Sequence, residues 1–522
     1  MTTTAVRPSS SASGGAASRA ITHAQRNRLA TVANAILGDD GTVPDRSLDD
    51  YDAILWYLGK LCDRVVLERR DDELWLLFTS LAGAMPGESD MEKGIDARSR
   101  FTGSEFMDWI IAASSAPAVW GGGADSAMEL VSDRPVVDVN ACARSDRHTG
   151  IQRVERETIP RWNAAHDIVV VAWTHRDGAY RSLKEKERAR VFDWHTAHTV
   201  DSAISGEETH LVVPWRTRVV LPEVPSARQS TRLRALARFS GSDIVLIGYD
   251  LIPLTSPEYL PKDSGPDFLG YLGVVKRSAV IASISESAAE EFRGLVDAML
   301  PQQLPAPKVV SHPLPVDIPS NAWDETLVAN KDLADAQQGL PVIVCVGSHE
   351  PRKNHLAVLH AAERLWRDGV NFELWFMGGG GWGTYFDVRV KQLKRRGRRL
   401  VVRKAVSDRV LWDAIRRARF TVFPSLHEGF GLPVAESLSV GTPVITTNYG
   451  STAEIAEAGG CMLVDPRDDA QLEAAMRSLL YDESVFQQLR EQAISRIFTR
   501  TWDDYAVELW DVLVNSAGEG AR

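Results

Sequence analysis

What most constrains this chain is a repeated alternation of short, continuously apolar runs with longer amphipathic ones. One series opens at Pro341 with PVIVCVGS. It continues through NHLAVLHAAERLWRDG, FELWFMG, YFDVRVKQLKRRG, RLVVRK, SDRVLWDAIRRA, FTVFPS, PVAESLSVG, TPVITT, CMLVDP and DDAQLEAAMRSLLYD. An earlier series holds PVVDVN, IQRVERETIPRW, DIVVVAWTH, HLVVPW, RVVLPE, SDIVLIGYD, AVIASIS and KVVSHPL. Strands apolar along their whole length must be covered on both faces, as in a parallel sheet flanked by helices. The pattern predicts two doubly wound α/β domains in series, over residues 136–320 and 341–500. The polar, patternless stretch Asn321–Leu340 between them reads as a linker.

Residues 21–131 follow a different pattern. Apolar residues recur at three- and four-residue spacing in SLDDYDAILWYLGKLCDRVVLE, where Ser47 and Asp50 suit a capping box, and PAVWGGGADS reads as a turn. This predicts a helical extension. The first 20 residues, rich in Ser, Ala, Thr and Gly without an apolar core, read as a disordered tail. The chain of 522 residues is long enough for about three domains. Its net charge of -11 disfavours non-specific nucleic-acid binding, which depends on Lys and Arg displacing counterions. Cys62, Cys142, Cys345 and Cys461 lie far apart without a paired spacing, so a cytoplasmic location with reduced, buried thiols is expected. No apolar run approaches the ~18 residues of a membrane span.

The densest chemical information lies in PSLHEGFGLPVAESLSVGTPVITT. A strand ends at Pro424, a glycine-flanked loop follows, and Pro433 suits the opening of a helix. Ligands of open α/β sheets bind beyond the carboxyl ends of strands. There, loop amides and a helix N-terminus make an anion seat suited to a diphosphate. Glu428 and Glu436 frame that seat. Acids beside an anion site have a use if they accept hydrogen bonds from sugar hydroxyls; the plainer reading of Glu436 is complementation of the helix dipole. A second strand end on the same edge carries Arg352 and Lys353, in SHEPRKNH, both able to reach a diphosphate.

These residues carry a resemblance. EGFGLPVAE, with Glu428 and Glu436 in an E-x7-E pattern, together with GSHEPRKNH and VSDRVLWDAIRRA, is similar to the retaining, nucleotide-sugar-dependent glycosyltransferases of group 1, the glycogen-synthase-like family. The resemblance covers roughly residues 136 to 515 and implies the GT-B architecture, two Rossmann-like domains facing a cleft. It implies that Lys353 and Arg352 bind the donor diphosphate, that Gly429, Phe430 and Gly431 lie over it, that Glu436 takes the ribose hydroxyls, and that Glu428 contacts the donor sugar. Gly378 and the turn around Val406 would line the base pocket. HTGIQRV resembles the family's glycine loop, placing Gly150 against the donor, with Gln152 and Arg153 facing the cleft or starting a helix. Where many relatives carry a His-Asp pair, this chain has Tyr249 and Asp250, and Tyr cannot carry a positive charge. A terminal helix over 501–515, with Trp502, would cross back onto the N-domain.

The resemblance further implies transfer of a hexose, mannose-like, from a GDP- or UDP-linked donor to a glycan or lipid-linked glycan. It implies no metal and no cofactor beyond the donor. The basic run Lys391–Lys404 could contact the inner face of a membrane peripherally, or simply be a solvated helix end. His312 reads as structural. Two alternatives stand beside this reading. One is an inactive GT-B scaffold. The other is an NAD-dependent enzyme, since Gly378, Gly380 and Gly383 satisfy GxGxxG, although RRGRRLVVRK downstream offers no acid for a ribose.

Overall fold

The computed structural model describes residues 11–41, 49–146, 149–194, 209–261, 265–302, 306–316, 339–381, 384–404, 406–496 and 498–516. The first sheet is built from β1 (Met128–Val131), β2 (Val136–Asp138), β3 (Val169–Trp173), β4 (Tyr180–Ser182), β5 (Leu211–Pro214), β6 (Arg218–Leu221), β7 (Asp243–Gly248), β8 (Val280–Ser283) and β9 (Lys308–Ser311). Their order is β1-β5-β4-β3-β2-β6-β7-β8-β9. The second sheet holds β10 (Val342–Val346), β11 (Glu373–Met377), β12 (Leu400–Arg403), β13 (Phe420–Phe423), β14 (Val444–Thr447) and β15 (Cys461–Val464), in the order β12-β11-β10-β13-β14-β15. All its pairings are parallel. Both sheets are doubly wound, and in each the strand order reverses at a switch point: between β2 and β6, and between β10 and β13.

The first sheet is not wholly parallel. β4 runs antiparallel to both β3 and β5. The three residues YRS are too short to show a period, so this strand is invisible in the sequence. β1, only four residues long, pairs with β5 at the sheet edge and lies inside the stretch expected to be helical.

The helical extension is also less separate than its sequence suggests. Its helices are Ser11–Leu37, Asp50–Glu68, Asp71–Ala82, Glu88–Arg100 and Gly103–Gly121. The first begins inside the stretch read as a tail: alanines at 12, 16, 17 and 20 favour helix despite the serines and glycines around them. Asp49 caps the second helix, its carboxylate accepting from Asp52 N–H at 2.9 Å, and Ser47 lies outside the described residues. Leu29, Leu58, Trp75 and Phe78 of these helices share one apolar cluster with Trp173, Val213, Leu246 and Phe292 of the sheet domain. The extension therefore covers one face of the first sheet. Arg28, buried under it, donates to the carbonyls of Ser80, Ala124 and Ser126 at 2.7–2.9 Å.

The expected linker 321–340 lies almost wholly outside the described residues. The terminal helix Trp502–Trp510 returns to the N-domain, where Trp162 Nε1–H donates to Ala506 O at 2.7 Å. Tyr505, Leu509 and Trp510 are buried in the same cluster as Val137, Val154 and Val245. His312 is pinned here between Arg500 and Tyr505. Cys62, Cys142 and Cys345 are buried and Cys461 half-buried, all as free thiols.

Candidate functional site

The switch point of the second sheet places two loops side by side. After β10 the chain makes a 3-10 turn, Pro351–Lys353, closed by Asn354 in the left-handed region (φ 57°) before helix His355–Arg367 starts. After β13 comes the loop 424–431. Leu426 N–H donates to Arg352 O at 2.8 Å, and Ser425 Oγ lies 3.1 Å from the same carbonyl. The side chains then converge. Lys353 Nζ lies 2.6 Å from Glu428 Oε1, and Arg352 Nη1 is 2.9 Å from Glu428 Oε2 and 2.5 Å from His427 O. Ser425 Oγ–H donates to Glu428 Oε1 at 2.5 Å. Burial alone would raise the Glu428 carboxyl, but the two cations outweigh it and hold the group at about 2.

Glu436 is the fifth residue of helix Leu432–Ser439, which opens at Gly431 (φ 104°) one residue before Leu432. It is past the first turn, where a helix dipole acts, so dipole complementation does not account for it. Its partner comes from the other domain: Arg153 Nη1–H donates to Glu436 Oε1 at 2.6 Å. Burial pushes this carboxyl above its ordinary value, with Arg153 opposing. Arg153 sits in the first turn of helix Gly150–Ala165, whose N-cap Thr149 and first residues Gly150 and Ile151 line the same cleft.

The domains touch along the Glu428 loop. A Cβ on Gly429 would lie 2.4 Å from Tyr249 O, so only glycine permits this approach. Ser285 Oγ–H donates to Gly429 O at 2.6 Å. His427 Nε2 is 2.5 Å from Glu291 Oε1, and its Nδ1 is 3.0 Å from Ser256 Oγ. Burial opposes charge on His427, yet Glu291 raises its pKa overall. Glu454 of the C-domain accepts from the backbone N–H groups of Glu286 and Ser287, capping an N-domain helix. Phe430 is buried in the same cluster as Tyr249 and Ile284.

Several expected residues also meet partners within the protein. Tyr249 lines the cleft, but its hydroxyl donates to Pro222 O at 2.7 Å and is spent on the backbone. The side chain of Asp250 caps the backbone, accepting from Ile252 N–H at 3.1 Å. Gly378 stands behind the cleft wall: a Cβ there would meet Gly347 O at 2.4 Å, and Gly379, Gly380 and Gly381 form the lining instead. Val406 is half-buried against a small core that holds Val346 and Val410, while Asp408, Leu411 and Trp412 line the cleft. Gly383, part of the GxGxxG match, lies outside the described residues. Trp194, with the Arg156 guanidinium 3.4 Å from its ring centre, also lines the cleft and carried no sequence signal.

The cleft encloses about 1680 Å³ and brings together Gly150, Tyr249, Asp250, Arg352, Lys353, Glu428, Gly429, Phe430, Gly431 and Glu436. Arg153, Arg352 and Lys353 face Glu428 and Glu436, with the loop amides and two helix N-termini adding positive potential. Such a seat favours an anion flanked by hydroxyl groups. Apart from it, Cys142, Glu155 and Glu223 form the one metal-ligand-type group among the described residues, with ligand atoms within 4.8 Å of each other. Burial and the neighbouring Glu223 charge drive the Glu155 carboxyl well up, and burial pushes the Cys142 thiol up to about 12.

Residues 330–496 match the family described as glycosyl transferases group 1. That stretch of the chain is thus similar to a glycosyltransferase group 1 domain. Similarity extends further along the chain in relatives from Escherichia coli. Serotype-specific mannosyltransferase WbdA is 26% identical over 336 residues, covering 62% of this chain and 40% of WbdA. O-antigen chain mannosyltransferase B is 28% identical over 262 residues, covering 49% of this chain and 66% of that protein. The chain thus spans about 40% of the length of WbdA. Among solved structures, sucrose-phosphate synthase from Thermosynechococcus elongatus aligns with a TM-score of 0.50 at 14% identity, over 72% of this chain and 97% of that one. A UDP-forming α,α-trehalose-phosphate synthase from Burkholderia xenovorans also aligns at 0.50, with 12% identity over 74% and 100%. The two sheet domains thus share the GT-B fold.

Proposed function

We propose that this protein is a glycosyltransferase that moves a hexose from a nucleotide-diphosphate sugar to a hydroxyl of a glycan or lipid-linked glycan, with retention at the anomeric carbon. The observation that carries the reading is the convergence of Arg352, Lys353, the EGFG loop and Glu436 at one switch point, facing the second domain. A GDP- or UDP-linked donor would seat its diphosphate on Arg352, Lys353 and the amides of Gly429–Gly431. Glu436 would accept from the ribose hydroxyls once Arg153 yields its hold. Mannose as the sugar, and a surface polysaccharide as the product, are inferred from the named activities of WbdA and O-antigen chain mannosyltransferase B.

The chemistry follows from the charges. As the bond from the anomeric carbon to the diphosphate breaks, negative charge grows on the departing phosphate, where the two cations and amide dipoles already point. The clamped phosphate lies on the face that the acceptor hydroxyl approaches and can take its proton. Glu428, held ionised by Lys353 and Arg352, sits where positive character develops on the sugar ring. Most of the rate gain would come from holding both reactants in place within the cleft.

Isothermal calorimetry with GDP and with UDP tests the seat. Lys353→Ala and Glu436→Ala should each weaken the preferred nucleotide about ten- to a hundred-fold, the loss of one charged hydrogen bond. Unchanged affinity in both variants would refute the assignment. A binding subunit without turnover is the second reading, favoured by the Tyr249 hydroxyl being engaged with Pro222. Donor hydrolysis or transfer by the purified chain separates the two.

A further inference from the structure

We propose that the flank built from helix Thr384–Arg395 and the turn to Arg399 docks on an anionic lipid bilayer. Between Lys391 and Lys404 the chain carries eight cations and no acid, in a protein whose net charge is -11. Helix formation gathers part of this run onto one face. Tyr385, Val388, Lys391 and Arg395 recur at the spacing of neighbouring turns, and all four are exposed. Tyr385 and Val388 are 78% and 51% exposed, large apolar groups with nothing over them among the described residues.

Local acids do not neutralise this flank. The buried Glu363 is shared by Arg367, Arg396 and Arg398 at 2.9–3.2 Å, three guanidinium groups on one carboxylate. Lys404 lies 3.4 Å from Asp387. Lys391, Lys394, Arg395 and Arg399 are exposed and have no ion pair among the described residues. An exposed tyrosine and valine in line with cations match a bilayer interface, where rings sit at headgroup depth and cations meet lipid phosphates. A nucleic-acid partner would use the cations but not the valine. The helix begins just after Gly379–Gly381, which line the cleft, so docking would bring the cleft mouth within about one helix length of the bilayer, ~18 Å. The docking itself does not depend on the transfer reading, since it is measured without donor or acceptor.

The test is co-sedimentation of the full chain with phosphatidylglycerol–phosphatidylethanolamine vesicles and with neutral phosphatidylcholine vesicles. The wild type should bind the first and not the second, and 0.5 M salt should release it, because such salt screens charges beyond about 5 Å. Neutralising Lys391, Lys394 and Arg395 together to Gln should weaken vesicle binding about 100-fold. Tyr385→Ser should weaken it several-fold. Both variants should keep the wild-type melting temperature and nucleotide affinity. Equal binding by the triple variant, or no binding of wild type to anionic vesicles, overturns the proposal. So does tight capture by soluble heparin without vesicle binding, which would point to a soluble polyanion.

Discussion

At the scale of single residues, the candidate site is a set of charges that already have partners. Lys353 and Arg352 pair with Glu428, and Arg153 pairs with Glu436. A ligand must exchange these contacts for better ones. Glu428→Gln keeps the shape and the contact with Ser425 but removes the negative charge. It should lower kcat at least ten-fold while leaving KM for the donor within about three-fold; equal kcat in the two proteins would remove Glu428 from the chemistry. Arg153 and Glu436 form a largely buried pair across the domains. Losing one partner strands a buried charge, so each single Ala variant should destabilise more than the double variant predicts additively. Denaturation of the full cycle should give a coupling of about 1–3 kcal/mol.

At the scale of elements, the loop 424–431 and the N-domain helix Glu286–Met299 are held together by titratable groups. Glu291 raises the pKa of His427 above its ordinary value, against burial and the nearby Arg352 and with help from Asp250. A raised histidine stabilises its contact fully below the unfolded pKa of about 6.5, and the contribution is lost as pH rises through the folded value. The clasp should therefore loosen from neutral pH upward. Small-angle scattering should show the radius of gyration growing over that range, and His427→Gln should remove most of that pH dependence. A profile independent of pH in the wild type would mean that Glu454 and Ser285 suffice to hold the domains.

At the scale of the whole molecule, the helical extension and the first sheet share one core. Trp75 of the extension is fully buried in the cluster that holds Trp173 and Leu246. Trp75→Ala should cost about 3–5 kcal/mol and act on the whole N-domain. Melting followed by near-ultraviolet circular dichroism should show a single lowered transition for that domain. An independent early transition of the helices would instead describe a separable appendage. The terminal helix Trp502–Trp510 packs on the same domain from the other end of the chain, so both termini of the described chain help hold the N-domain.

The sequence alone carried the fold class and the chemistry of one loop pair. Short apolar runs such as VIVCV, bounded by turn residues and alternating with amphipathic helices, fit strands covered on both faces, and EGFGLPVAE with PRKNH states its residue types locally. It could not carry what depends on distant segments meeting. β4 and β1 are too short to show a period and exist because neighbours offer them hydrogen bonds. The extension became part of the N-domain because its apolar faces found the sheet. Arg153 and Glu436 lie 283 positions apart, and only the facing of the two domains makes them a pair. Tyr249 reads as a cleft residue in sequence, but burial left its hydroxyl the carbonyl of Pro222 as a partner. Local pattern sets what each segment can be; long-range packing decides which polar groups remain free for a ligand.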